Sequence, residues 1–180
     1  MTELWCWRHP AARGAAGRCI GRTDLRVDAR KAKRLAHHIR QQARRHRLPH
    51  VVSVSPLQRA HAVGVWLKRW GWRLRIDARL AELDFGQWDG KPWADIAWAE
   101  VQAWQADLLH HAPGGGESLH ALAARVQAFV QDQREGACLL VSHGGWINAL
   151  LHVPPGLTCL AASAWPAPPK HSSLTRVPGV

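Results

Sequence analysis

Residues 137–145 read ACLLVSHGG. The apolar run from Ala137 to Val141 has no polar break, and Ser142-His143-Gly144-Gly145 ends it. An uninterrupted run of this kind reads as a central parallel strand with both faces buried. The glycine pair then opens a helix that continues to about Leu151. A parallel strand needs crossover partners, and the upstream sequence supplies them. Leu4–Trp7 is a short apolar strand that stops at Arg8-His9-Pro10. Residues 10–28, rich in Gly, Arg and Asp, form a loop. From Ala29 to Arg47 apolar residues recur at steps of three and four (Ala29, Ala32, Leu35, Ile39, Ala43), which predicts an amphipathic helix.

Val51–Val54 is a second strand ending at Ser55-Pro56. Leu57–Trp70 is a second helix, with Pro56 in its opening turn, where a missing N–H does no harm. Trp72, Leu74 and Ile76 alternate with Arg73 and Arg75, which predicts a half-exposed third strand near an edge. The segment 80–90, LAELDFGQWDG, is a polar loop with aromatic anchors. Helical pieces over 93–109 stop at Pro113-Gly114-Gly115-Gly116, and a helix follows over about 117–133. After Pro154 the periodicity fades among prolines, leaving a weakly signalled strand pair near 159–165 and 172–177. Strands alternating with helices predict a three-layer α/β/α sandwich with a mostly parallel central sheet. The expected organisation is one domain over 1–180, with its core at 4–151 and a Pro-rich segment at 154–180.

In such sheets ligands bind beyond the carboxyl ends of the strands. The candidate reactive residues fall there: Arg8 and His9 after the first strand, Arg59 in the helical turn after the second, Glu82 in the loop after the third, and His143 after the central one. Two guanidinium and two imidazole groups suit a phosphate dianion. An imidazole in such a pocket is able to attack phosphorus and carry the phosphoryl group. The leaving alkoxide then needs a proton. Glu82 is the better donor, since apolar neighbours Leu80, Leu83 and Phe85 favour the protonated acid, although Asp84 competes for the role. Each assignment has a plainer rival: a loop histidine at 9, a helix-capping histidine at 143, and surface charges at 8 and 59.

Composition narrows the field. The 180 residues are 47% apolar and 21% charged, a globular balance, and a chain this long buries enough surface to need no metal or disulfide. The net charge of +11 points to an anionic ligand without choosing between phosphate esters and nucleic acid. The basic face of the 29–47 helix is the place for a nucleic-acid patch, but no aromatics interleave its charges, so a solvated face is the simpler reading. Cys6, Cys19, Cys138 and Cys159 lack metal-ligand spacing, and Cys6 and Cys138 read as buried thiols suited to a reducing, cytoplasmic compartment. No metal motif is present, neither a secretory signal nor a membrane span is visible, and no cofactor is required. Trp93, Trp98 and Trp104 are candidates for a cap over the pocket.

Six segments taken together make the chain resemble the histidine phosphatase superfamily, the phosphoglycerate-mutase-like group: WRHP at 7–10, GRTDL at 21–25, SPLQRA at 55–60, LAELDFGQWDG at 80–90, GGESL at 115–119 and LLVSHGG at 139–145. Within that group it looks most like the small bacterial α-ribazole phosphatases. The resemblance implies His9 as the nucleophile and Arg8, Arg59 and His143 around the phosphoryl group. It decides for Glu82 over Asp84 as proton donor, and it implies no cofactor and no metal. Arg22 is a further candidate for phosphate binding. The expected substrate is a small phosphorylated molecule such as α-ribazole phosphate. Mutase-type transfer and non-catalytic phospholigand binding are the alternatives, the mutase disfavoured by the short 93–116 region. The sequence departs from the family at Pro10 (usually Gly), at Ala11-Ala12 (usually Glu/Gln then Thr/Ser) and at Ala15 (often Asn). Arg13, Arg18 and Arg22 are the residues available to compensate. No oligomeric state is implied.

Overall fold

The computed structural model describes residues 1–179; Val180, the last residue of the Pro-rich segment, lies outside the described residues. Five strands form one sheet: β1 (Thr2–Arg8), β2 (Val51–Val54), β3 (Arg73–Ile76), β4 (Gly136–Ser142) and β5 (Leu174–Val177), in spatial order β3-β2-β4-β1-β5. β1, β2, β3 and β4 are mutually parallel, and β5 runs antiparallel to β1. The five α-helices are α1 (Ala29–His46), α2 (Gln58–Arg69), α3 (Trp98–Ala106), α4 (Leu119–Gln131) and α5 (Gly144–His152).

Alternation along the strands builds the three layers. Leu4, Cys6 and Leu140 face α4 and α5, while Trp5, Trp7, Leu139 and Val141 face α1 and α2. A small third cluster of Cys19, Trp88 and Ile96, with Phe85 and Trp104 against it, anchors the segment between β3 and α4. Capping follows local chemistry. Asp28 accepts from the Arg30 and Lys31 N–H groups at the start of α1, and Ser118 accepts from Ala121 N–H at the start of α4.

Several expectations are corrected. β4 is buried only from Leu139 onward, where pairing with β2 joins the pairing with β1 that begins at Gly136. Cys138 is therefore half-buried, and Cys19 is the second fully buried thiol instead. α2 starts at Gln58, with Pro56 outside it and Leu57 in the extended cap position. Residues 159–165 form no strand; a 3₁₀ turn spans Ala162–Ala164, among prolines that cannot donate to a ladder. β5 pairs with the open edge of β1 instead. The cations of α1 are also not free of aromatics. α2 lays Trp66 under Lys33 and Arg69, at 5.0 and 4.9 Å, and Trp70 under Arg40 at 5.5 Å. Among the described residues, no helix is long and apolar enough to cross a membrane.

Candidate active site

A cavity of about 550 Å³ opens at the carboxyl ends of the parallel strands. Arg8, His9, Arg59 and Glu82 line it, while His143 is fully buried directly behind His9, with ring centroids 4.9 Å apart. Asp84 does not line it. Its carboxylate accepts from Gly86 N–H at 2.8 Å and holds a turn. Arg22 also stays outside, with its guanidinium 3.9 Å from Glu117. Of the compensating arginines, Arg18 lines the cavity, whereas Arg13 pairs with Asp28.

The end of β1 places His9, whose backbone N–H donates to Ser142 carbonyl at 3.0 Å and ties the two central strand ends together. Its ring Nδ1 lies 2.7 Å from Pro10 carbonyl. A carbonyl only accepts, so Nδ1 carries the proton and Nε2 keeps its lone pair. Pro10 thus supplies a ring-orienting acceptor even though it replaces the usual glycine. His143 is held in the complementary way. Arg59 Nε donates to its Nδ1 at 3.2 Å, so Nε2–H donates to Ser55 Oγ at 2.8 Å. Both rings are neutral. Burial holds His9 well below the ordinary histidine value, with the Arg59 charge next in effect. Burial does the same to His143, and the neighbouring His9 and Arg59 add to it.

The two arginines are anchored by backbone carbonyls. Arg59 Nη1 and Nη2 donate to Thr23 and Gly21 at 2.8 and 2.5 Å, and Arg8 Nη1 donates to Pro169 at 2.6 Å. Burial lowers both guanidinium pKa values while the Glu82 carboxylate opposes the shift. Arg8 Nε is buried without a partner among the described residues, a donor unmatched at the cavity wall. Glu82 shares the cavity wall with Leu83 and Phe85. Its oxygens, however, accept from Leu83, Gly145 and Trp146 N–H at 3.0, 2.9 and 3.1 Å, so the start of α5 fixes the carboxylate. Gly145 must be glycine for this approach, since a Cβ there would lie 2.5 Å from Glu82 Oε1.

The sequence reading missed three supporting groups. Asp89 accepts from the backbone of Gly21, Arg22 and Thr23 and from Thr23 hydroxyl, which fixes the loop whose carbonyls hold Arg59. Arg125 pairs with Glu117 and donates to the Arg79, Ala81 and Glu82 carbonyls, setting the loop that carries Glu82. His171 stacks obliquely on His9 at 5.3 Å, and its Nδ1 donates to His9 carbonyl at 3.1 Å. Of the expected cap, Trp93 and Trp104 line the cavity, joined by Trp165. Trp98 is 63% exposed and lies elsewhere. Among the described residues no group of three His, Cys, Asp or Glu is placed to hold a metal ion.

The sequence and the fold are similar to those of known proteins. Glucosyl-3-phosphoglycerate phosphatase of Mycobacterium tuberculosis (strain H37Rv) is 34% identical over 143 residues, 67% of this chain and 60% of that protein. The match thus spans about three fifths of that relative's length. Probable phosphoglycerate mutase GpmB of Enterobacter sp. (strain 638) is 29% identical over 170 residues, 89% of this chain and 78% of that protein. A solved mycobacterial glucosyl-3-phosphoglycerate phosphatase in complex with VO3 superimposes with a TM-score of 0.77 at 28% identity, covering 97% of this chain and 90% of that one. These names concern phosphoglycerate-type compounds, so the narrower resemblance to α-ribazole phosphatases gives way to a broader one. A family model matches residues 4–176, and the chain belongs to the histidine phosphatase superfamily (branch 1).

Proposed function

We propose that the chain is a phosphomonoesterase that moves the phosphoryl group of a small metabolite first to His9 Nε2 and then to water. The observation that carries this reading is the neutral, Nδ1-protonated His9 ring facing a cavity with the unpartnered Arg8 Nε in its wall. Nε2 attacks phosphorus and the ester P–O bond breaks. Glu82 delivers a proton to the leaving oxygen. Water then attacks phosphorus, its proton passes to Glu82, and the P–N bond breaks to release phosphate. Arg8 and Arg59 stabilise the charge spread over the transferring oxygens. His143, buried behind His9 and accepting from Arg59 Nε, is assigned the part of orienting that guanidinium rather than of touching the phosphoryl group. Arg22, set against Glu117, is assigned a role in holding the loop rather than in touching phosphate.

In this reading residues 1–180 act as one domain. The enzyme works in the cytoplasm, where its free cysteines stay reduced. The aromatic wall of Phe85, Trp93, Trp104 and Trp165 suits a leaving group with a planar or apolar part, as α-ribazole phosphate has. The names of the relatives support phosphoglycerate-type esters more strongly, and the likeness to GpmB over 89% of the chain keeps mutase-type transfer as the second reading. The deciding experiment incubates purified protein with α-ribazole phosphate, glucosyl-3-phosphoglycerate, 3-phosphoglycerate and phosphoserine, and follows both free phosphate and isomerised product. Phosphate release with an acid-labile phosphoenzyme, both lost by about 10⁴-fold or more in His9→Ala, is the expected result. Isomer without phosphate favours the mutase, and binding without turnover by any of them overturns the enzymatic reading.

A further inference from the structure

A second cavity of about 410 Å³ adjoins the first, and Ala11 and His171 line both. Its charged side chains, Lys31 and Arg34, come from the first turns of α1, with the His38 ring one turn further on. Among the described residues no carboxylate lines it, and the acid nearest in sequence, Asp28, is engaged by Arg13. Lys31 and Arg34 are exposed and make no ion pair among the described residues. They also differ from the cations farther round the helix pair. Lys33, Arg40 and Arg69 rest on tryptophan faces, whereas Lys31 and Arg34 rest on none. The Lys31 charge reaches the His171 ring, which stands between the two spaces. Ala11 presents only a methyl group to both cavities.

Positive charge without a counter-charge, opening beside a phosphate pocket, favours an anion there. We propose that this annex binds a second anionic group, phosphate or carboxylate, of the same substrate whose phosphoryl group faces His9. The proposal rests on the phosphatase reading for the first group. It defines the substrate class as a phosphomonoester with a second negative charge at a fixed distance, and it makes Lys31 and Arg34 specificity determinants rather than catalytic residues.

The test uses linear alkanediol monophosphates and bisphosphates of increasing chain length, with phosphoalkanoates of the same lengths as the carboxylate arm. Beyond a threshold length, the doubly anionic members are expected to show a KM about tenfold below that of the matched monophosphate, with kcat alike. A Lys31→Met, Arg34→Met double variant is expected to lose that preference and to hydrolyse p-nitrophenyl phosphate as wild type does. Ala11→Glu is expected to lose the preference as well. No preference at any length while monophosphates are hydrolysed, or a preference that survives in the double variant, overturns the annex and leaves the phosphatase reading standing. Calorimetric titration of the same compounds gives the answer without turnover. Tighter binding of the doubly anionic members that disappears in the double variant supports the annex even if hydrolysis fails, and equal binding overturns it.

Discussion

Arg59 and Arg69 occupy opposite ends of α2 and have little else in common. Arg59 is 1% exposed, with three donors directed at Gly21, Thr23 and His143. Arg69 is exposed and lies 4.9 Å over the Trp66 ring. Burying a guanidinium costs several kcal/mol unless its hydrogen bonds are met, so a fold keeps one inside only with such compensation. An exposed arginine on an aromatic face contributes about 1 kcal/mol or less and is easily replaced. Most of the cations are exposed like Arg69, so the net charge of +11 by itself reports little about chemistry, whereas the few desolvated cations at the strand ends report a great deal.

The sharpest way to break this contrast is Arg59→Met. Loss of a preorganised charge at the transferring phosphoryl group is expected to lower kcat/KM by about 10³-fold. The same change leaves His143 Nδ1 and two carbonyls without their donor, so urea unfolding is expected to show about 3 kcal/mol of lost stability. A smaller effect separates anchoring from proton delivery. Glu82→Gln is expected to lower kcat about 10²-fold on alkyl phosphates and far less on p-nitrophenyl phosphate, whose leaving group needs no proton. Equal losses on both would remove Glu82 from the proton-transfer step.

Acid pH probes the buried side of the contrast. His9 and His143 stay neutral in the fold, with pKa values well below 6.5, so below about pH 6.5 the unfolded chain takes up more protons than the native one. Stability is therefore complete above that pH and falls on acidification, by up to about 1.4 kcal/mol per pH unit for each ring. Urea titrations at pH 7.5 and 5.5 measure the fall, and His143→Asn is expected to make it shallower. By the same logic the acid limb of kcat/KM lies below pH 6.5. The smallest effect belongs to Arg69→Met, expected to leave activity unchanged and stability within about 0.5 kcal/mol.

What the sequence made legible follows the range of the interactions. The strand at 137–141 is readable because a strand buried on both faces is an unbroken apolar run in the sequence itself, and His9 and His143 are readable because strand ends in parallel sheets converge. His171 was not readable. It is one of twelve histidines, in a stretch broken by prolines, and it meets His9 only because β5 pairs with β1 across most of the chain. Asp89 looks like an ordinary turn residue before Gly90, and its grip on residues 21–23 is visible only in the folded molecule. The tryptophans interleaving the α1 cations were hidden for a related reason. The aromatics belong to α2, and a single helix's periodicity cannot show what its neighbour presents.

The pairing of β1 between β4 and β5 also has a temporal consequence. During synthesis β1 finds its two neighbours only after residues 136–142 and then 174–177 have been made. Arg8 receives Pro169 as a support 161 residues further along the chain, and His9 receives His171 after 162. Contacts separated so widely form slowly. A nascent chain arrested before residue 169 would hold nearly every reactive side chain and still lack a finished anion cradle.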